Sequence, residues 1–184
     1  MKNPNLTLVL MAGLPGSGKS TLASALGNIL NWRVIDKDMY KKEFLKEGLD
    51  DENAGRKAYE KSFAIVRDEL TKGQESVILD SAALHHFILE EARSIEASVA
   101  NVHLKVILCI VERNLRNHRL RNRPWQAATV QADPETIADY LAFFKHLPSD
   151  MLILYTDKSL NEYLETAKMY LAREARLSSF DGKC

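Results

Sequence analysis

Cysteine is scarce in this 184-residue sequence, which has Cys109 inside an apolar stretch and Cys184 at its last position. So low a content excludes a disulfide framework, and we expect the protein to work in a reducing compartment, the cytoplasm. No two cysteine or histidine residues have the spacing of zinc ligands. The adjacent His85 and His86 are predicted to begin a helix instead.

Excess charge and long apolar runs are also lacking. Because 25 basic residues balance 25 acidic ones, no overall field attracts nucleic acid or an anionic membrane, and we expect any anion site to be local. No apolar stretch is long enough to span a bilayer. The N-terminal "LTLVLMAG" imitates a signal peptide, but it leads straight into a glycine-rich motif that cleavage would destroy, so we expect it to be retained.

Apolar stretches of strand length alternate along the chain with segments of helical periodicity. Apolar residues make up 46% of the sequence, and 184 residues suit one domain with a sizeable core. Strands are predicted at 6–12, 32–36, 76–80, 102–111 and 151–156, and helices at 19–30, 38–48, 53–72, 84–99, 112–123, 134–145 and 159–177. This alternation predicts a single α/β domain, residues 1–184, with a mainly parallel sheet.

The motif "GLPGSGKST", residues 13–21, lies between the first predicted strand and the first helix. It has the phosphate-binding pattern Gly-x4-Gly-Lys-Ser. Its glycines let the backbone approach a ligand, and we expect its amides to converge on phosphate oxygens at the helix N-terminus. Lys19 is predicted to bridge the β- and γ-phosphates, and Ser20 to ligate Mg²⁺ with Thr21 as its neighbour or substitute. The residues predicted to bind the nucleotide here are Gly13, Pro15, Gly16, Ser17, Gly18, Lys19, Ser20 and Thr21.

The destination of the phosphate separates three classes of protein with such a motif. A GTPase needs a guanine-reading "NKxD" and usually a "DxxG", and a motor or transporter ATPase usually carries "LSGGQ"; the chain has none of these. A kinase needs an acceptor pocket, a group that orients the acceptor hydroxyl, and positive charge over the transferred phosphoryl group. The sequence offers candidates for all three.

Carboxylates follow two of the predicted strands, at the strand ends where open α/β sheets bind ligands. Asp38 is predicted to orient the acceptor hydroxyl and accept its proton. The alternative, which is compatible with this role, is that Asp38 caps the next helix. Asp36 is a candidate to assist Mg²⁺ through water. Asp80 is predicted to hold Mg²⁺ through water or to contact the acceptor. Glu112 also ends a strand, but the small residues after Asp80 leave more room beside it.

Positive charge is concentrated in "ERNLRNHRLRNRP", which has five arginines within eleven residues. On a helix, Arg116, Arg119 and Arg123 share one face. We predict that this face belongs to a lid, residues 112–133, that closes over ATP, with Arg116 contacting the nucleotide and Arg119 and Arg123 acting in catalysis. The alternative is a solvated helix.

The stretch 37–75 is predicted to form the acceptor pocket. Lys41, Arg56 and Tyr59 are the candidates in it for contacts with the acceptor. The alternatives are solvated helix faces for the two basic residues and a core contact for Tyr59.

With these motifs placed, the chain resembles the small P-loop kinases, which include shikimate kinase, gluconate kinase, chloramphenicol phosphotransferase and the kinase domain of polynucleotide kinases. The likeness covers nearly the whole chain and rests on "GLPGSGKST", "DKDMYKK", "KGQESVILDSA", "RLRNRP" and "LILYTD". It implies the P-loop NTPase fold, three α/β/α layers, a five-stranded parallel sheet of order 2-3-1-4-5, ATP with Mg²⁺, and a mobile lid. It also implies that Asp38 is the acceptor-side carboxylate and that Arg119 and Arg123 are lid arginines.

The chain departs from this family's pattern at two points. The family commonly has an arginine three residues after the aspartate that Asp38 matches, whereas this chain has Lys41, which keeps the charge but loses the fork. Polynucleotide kinases usually carry "DxTN" after the third strand, where this chain has "DSAA" at 80–83. We therefore predict phosphorylation of a small-molecule hydroxyl by ATP. Phosphorylation of a polynucleotide, nucleoside or nucleotide, and nucleotide binding without transfer to an acceptor, remain alternatives.

Overall fold

The computed structural model describes residues 5–122, 134 and 136–173. The described ends of the elements lie within three residues of the predicted ones, except that the last helix ends at Ala172 rather than at 177. The strands are β1 (Leu6–Ala12), β2 (Arg33–Asp36), β3 (Val77–Asp80), β4 (Val102–Ile110) and β5 (Leu152–Tyr155). The helices are α1 (Lys19–Leu30), α2 (Lys37–Lys46), α3 (Asp51–Lys72), α4 (His86–Ser98), α5 (Arg113–Arg121), α6 (Ile137–Phe143) and α7 (Leu160–Ala172).

The strands form one parallel sheet of order β2-β3-β1-β4-β5, which confirms the order that the resemblance implied. The apolar strands β1 and β4 lie side by side near its centre, in a register that runs from Leu6 opposite Val102 to Ala12 opposite Leu108. In a parallel sheet all carboxyl ends meet at one edge. The loops that follow β1, β2 and β3 therefore come together there, with Asp36 in register with Asp80.

Side chains of β1 alternate between two buried clusters, one on each face of the sheet. Leu8 and Leu10 pack in the cluster that includes residues of α3 and α4, whereas Val9 and Met11 pack in the cluster that includes residues of α1 and α7. This alternation follows from the period of two along a strand. It produces the predicted three layers, with helices on both faces of the sheet. No helix in the described ranges is long and apolar enough to cross a membrane.

The start of α2 corrects one prediction. Asp36 caps this helix, because its Oδ1 accepts a hydrogen bond from the Asp38 amide at 2.8 Å. The alternative role of Asp38 as the helix cap is therefore wrong, and its carboxylate, in the first turn, is not used as a cap. The prediction for His85 and His86 is confirmed, since His85 precedes α4 and His86 begins it. Thr136 caps α6.

Candidate active site

The loop of residues 13–21, called the phosphate loop below, packs too closely on its neighbours to carry side chains at two of its glycines. Gly13 has a φ of 138°, and a Cβ there would lie 2.5 Å from the Cys109 carbonyl oxygen. Gly16 has a φ of 85°, and a Cβ there would lie 2.9 Å from the Cγ of Arg116. Both glycines are therefore required by backbone conformation and by close approach, the two reasons for which glycine is used.

The amides at the start of α1 are placed to bind an anion. The first helical hydrogen bond runs from the Leu22 amide to the Gly18 carbonyl, so the preceding amides have no partner within the helix, and the helix dipole favours negative charge there. One predicted donor has a partner within the loop. The Ser17 amide donates to the Leu14 carbonyl at 3.1 Å and closes a turn, and the binding of nucleotide by Ser17 stays a prediction.

Two residues that the sequence analysis missed form side-chain hydrogen bonds with the backbone of the phosphate loop. The Tyr140 hydroxyl accepts a hydrogen bond from the Leu14 amide at 2.8 Å and donates to the Cys109 carbonyl at 3.3 Å. The fully buried Thr156 donates its hydroxyl to the Ser17 carbonyl at 2.7 Å. Thr156 follows β5, so the strand-end argument applied to Asp38 could have found it. Tyr140 lies on α6, and no local pattern marks it.

The basic helix α5 turns one face toward the phosphate loop. Arg119 donates to the Thr156 carbonyl at 2.6 Å, to its hydroxyl at 3.1 Å and to the Gly16 carbonyl at 3.4 Å. Arg116 is 5% exposed and lies against Gly16. For these two arginines the alternative of a solvated helix is wrong. Arg123 and the lid segment 123–133 lie outside the described residues, and closure over ATP stays a prediction.

We expect Thr156→Val to lower the free energy of unfolding of the protein and its affinity for nucleotide. Valine keeps the shape but leaves the Ser17 carbonyl and an Arg119 donor without this partner. Each buried group left without a hydrogen bond costs about 1–3 kcal/mol. Thermal unfolding measures the loss as a fall in Tm of roughly 2–4 °C per kcal/mol. The matched control is Thr166→Val on α7, whose exposed hydroxyl bonds only the preceding turn. Equal Tm values for the two variants would contradict the role given to Thr156.

Asp38 lies among lysines at the start of α2. Its carboxylate pairs with the ammonium of Lys37 at 2.5 Å. Burial acts to raise the pKa of Asp38, but the charges of Lys37, Lys19 and Lys41 together outweigh it, and the pKa lies below the ordinary value. Asp38 is therefore a carboxylate at neutral pH, able to accept a hydrogen bond from a hydroxyl.

Asp80, at the end of β3, has the opposite character. It is buried, and its Oδ1 has no hydrogen-bond partner among the described residues. Burial raises the pKa of Asp80, although the charge of Lys19 and a hydrogen bond from Ser20 oppose the shift. A buried carboxylate oxygen without a protein partner is suited to bind a cation, a water or a polar group of a ligand.

The residues around Asp80 fit Mg²⁺. In phosphate-binding sites this ion takes one or two protein oxygens and completes its shell with water and phosphate. The exposed Ser20 hydroxyl and the orphan oxygen of Asp80 supply such a donor set. Asp36, the third predicted ligand, is engaged as the cap of α2. Among the described residues no group of three or more histidines, cysteines or carboxylates is arranged to hold a metal, so an all-protein metal site is not found there.

A cleft of about 780 Å³ opens from the phosphate loop, within the size range of ligand pockets. It is lined by Lys19 and Ser20 of the phosphate loop and by residues of the hairpin formed by α2 and α3. The cleft thus brings the predicted phosphate and acceptor residues into one space. Four predicted acceptor-side residues line it: Asp38, Lys41, Arg56 and Tyr59. The sequence analysis missed four others: Leu84, His85, Phe87 and Phe143.

The three candidate acceptor contacts differ in their surroundings. Lys41 is only 7% exposed and pairs with Asp51 at 2.7 Å, so a solvated face is wrong for this residue. Arg56 is exposed and donates to the side-chain oxygen of Asn53 at 3.0 Å. Tyr59 is buried and stacks on Phe63, so it makes the core contact and lines the cleft as well.

Comparison with known proteins places the chain in a family. The family described as the AAA domain matches residues 8–147, so the chain belongs to it. No curated protein matches the sequence.

Solved structures of kinases share the fold. The APS kinase of Mycobacterium tuberculosis, solved in complex with AMPPNP and APS, superimposes with a TM-score of 0.67 at 19% identity, over 92% of this chain and 99% of that one. A sugar kinase from Janibacter sp. HTCC2649 gives a TM-score of 0.63 at 17% identity, over 91% of this chain and 95% of that one. A gluconokinase from Sinorhizobium meliloti 1021 gives 0.56 at 16% identity, over 94% of each chain. At these identities the likeness establishes the P-loop kinase fold.

Proposed function

We propose that the protein is an ATP-dependent kinase that transfers the γ-phosphoryl group to a hydroxyl of a small-molecule acceptor. One observation carries the proposal. A single cleft is lined both by Lys19 and Ser20 of the phosphate loop and by Asp38, whose carboxylate is ionised. A protein that only hydrolyses ATP has no need of a second ligand space facing its phosphate loop. The kinase structures that share the fold support the same conclusion.

In this mechanism the chain mainly positions the reactants and neutralises charge. Asp38 accepts a hydrogen bond from the acceptor hydroxyl and thereby orients the hydroxyl oxygen toward the γ-phosphorus. A bond forms between the hydroxyl oxygen and the γ-phosphorus, and the bond from the γ-phosphorus to the bridging oxygen of ADP breaks. The hydroxyl proton passes to Asp38. Because the transition state is loose, proton transfer comes late, so a carboxylate of low pKa suffices.

Positive groups on the loop side stabilise the charge that moves toward ADP. The charge of Lys19 acts to lower the pKa of both Asp38 and Asp80, so its ammonium lies near the two carboxylates. The amides at the start of α1 add fixed partial charges that need no reorganisation during the reaction. Ser20 and Asp80 would hold Mg²⁺, which when bound neutralises phosphate oxygens.

The proposal is tested by the acceptor dependence of ADP formation. Compounds that raise the Tm of the protein in the presence of AMPPNP are selected first, since a ligand that binds only the native state stabilises it. These compounds are then incubated with protein, Mg²⁺ and ATP. We expect ADP and a phosphorylated compound to appear together in equal amounts. ADP formation at one rate with and without every selected compound would contradict the proposal, and labelling of a 5′-hydroxyl oligonucleotide alone would identify a polynucleotide kinase.

A further inference from the structure

Two phenylalanines line the cleft with much of their surface uncovered. Phe87 is 46% exposed and Phe143 is 37% exposed, and no other phenylalanine in the described ranges reaches this exposure. Burying a phenylalanine side chain against an apolar ligand group stabilises a complex. Two partly exposed rings in one cleft form an apolar surface that is suited to contact with an apolar part of a ligand.

Both rings are held in place by other rings. Tyr59 meets Phe87 edge to face at a centroid distance of 5.6 Å and an angle of 87°, and His85 stacks on Phe87 at 5.8 Å and 13°. Phe143 packs at 5.4 Å and 73° against Phe144, which is fully buried. Because their neighbours restrict these rings before a ligand arrives, the ordering cost on binding is low.

The aromatic residues of the cleft adjoin Asp38, the position proposed for the acceptor hydroxyl. The Lys37 ammonium lies 5.1 Å from the centroid of the Tyr59 ring and pairs with the Asp38 carboxylate. The same Tyr59 ring contacts Phe87. A ligand with its hydroxyl at Asp38 therefore has a continuous path along Tyr59 to Phe87, and Phe143 lines the same cleft of about 780 Å³.

We propose that the acceptor carries a planar aromatic ring, which packs against Phe87 and Phe143 while its hydroxyl lies at Asp38. The placement of the hydroxyl rests on the proposed function. A compact polyol or hydroxy acid would leave both phenylalanines in water, whereas a ring gains from aromatic pairing in addition to the burial of its area. An aryl group and a nucleobase share this chemistry, and the experiment below separates them.

The test uses two pairs of alcohols that differ in the ring. Adenosine is compared with ribose, and phenyl glucoside with methyl glucoside. Binding to the protein saturated with AMPPNP is measured by calorimetry, and phosphorylation is measured with ATP. We expect the ring-bearing member of at least one pair to bind about tenfold or more tightly than its partner.

Leucine variants locate the ring. Phe87→Leu and Phe143→Leu keep an apolar side chain of similar size, and both are expected to retain AMPPNP affinity while lowering the tenfold preference to about threefold or less. Phe44→Leu is the matched control, because Phe44 lies on α2 but does not line the cleft. We expect this control to keep the full preference.

The outcomes separate this inference from the proposed function. A preference for adenosine alone assigns a nucleobase, and one for phenyl glucoside alone assigns an aryl group. Absence of any preference, whether all four compounds bind equally or none binds, overturns the inference, as does a preference that both cleft variants retain. A preference seen in binding without any phosphoryl transfer supports the ring site and counts against the kinase. Transfer to ring-free alcohols without a preference supports the kinase and overturns the ring site.

Discussion

Lys19→Ala is expected to lower the acceptor-dependent rate at least ~10³-fold, which corresponds to about 4 kcal/mol of barrier. Lys19 is 6% exposed, and its charge acts on the carboxylates of Asp38 and Asp80. In a loose transition state, charge neutralisation supplies much of the catalysis, and no other lysine lies on the phosphate loop to replace it. Steady-state formation of the phosphorylated product measures the effect.

Lys72→Ala is the matched control for this variant. Lys72 is an exposed lysine at the end of α3 that does not line the cleft, and its ion pairs with Asp68 and Glu69 are of the surface kind that contributes little. We expect its rate to equal that of the unmodified protein. A Lys19→Ala rate within threefold of the unmodified protein would falsify the assignment of Lys19.

Asp38→Asn is expected to abolish most acceptor phosphorylation while leaving ATP affinity nearly intact. Asparagine keeps the shape but loses the charge that orients the hydroxyl and receives its proton. Removing a general base typically costs about 10²–10⁴-fold in rate. Transfer to acceptor and binding of AMPPNP are measured on the same preparation.

Asp68→Asn serves as the control for Asp38→Asn, because Asp68 has an exposed carboxylate that also pairs with a lysine but lies away from the cleft. A collapse of AMPPNP affinity in Asp38→Asn would assign Asp38 to the nucleotide half of the site. An unchanged rate of transfer would remove Asp38 from the reaction. A second variant, Asp36→Asn, keeps the helix cap because asparagine caps a helix as well as aspartate does. It therefore removes only the negative charge at position 36.

Local patterns predicted the elements well because each element is specified by residues close together in the sequence. The phosphate loop follows an apolar strand, and its glycines meet local demands on backbone conformation. Asp36 and Asp80 follow strands, and a parallel sheet brings such positions to one edge whatever else the chain does. The errors were also local. The sequence could not tell which of Asp36 and Asp38 caps α2, because either residue type suits the cap.

The parts of the site that were missed depend on contacts between distant segments. Tyr140 and Leu14 are 126 residues apart, and Thr156 and Ser17 are 139 residues apart. A tyrosine within a helix has no periodic signature of such a partner. Thr156 follows a strand, which marks its position at the sheet edge but does not identify Ser17 as its partner. Phe87 and Phe143 likewise read as ordinary apolar residues of amphipathic helices. Their exposure in the cleft appears only when α4 and α6 are placed beside the hairpin of α2 and α3.

The sequence by itself determined the phosphate loop, the parallel α/β architecture and the carboxylates at the strand ends, because each of these depends on short-range conformation or on a periodicity of two or 3.6 residues. Only the tertiary structure decided how the phosphate loop is supported, which face of α5 is buried and what lines the cleft. Those features arise where side chains far apart in the chain exclude water together, and the packing that brings them into contact is a property of the whole fold.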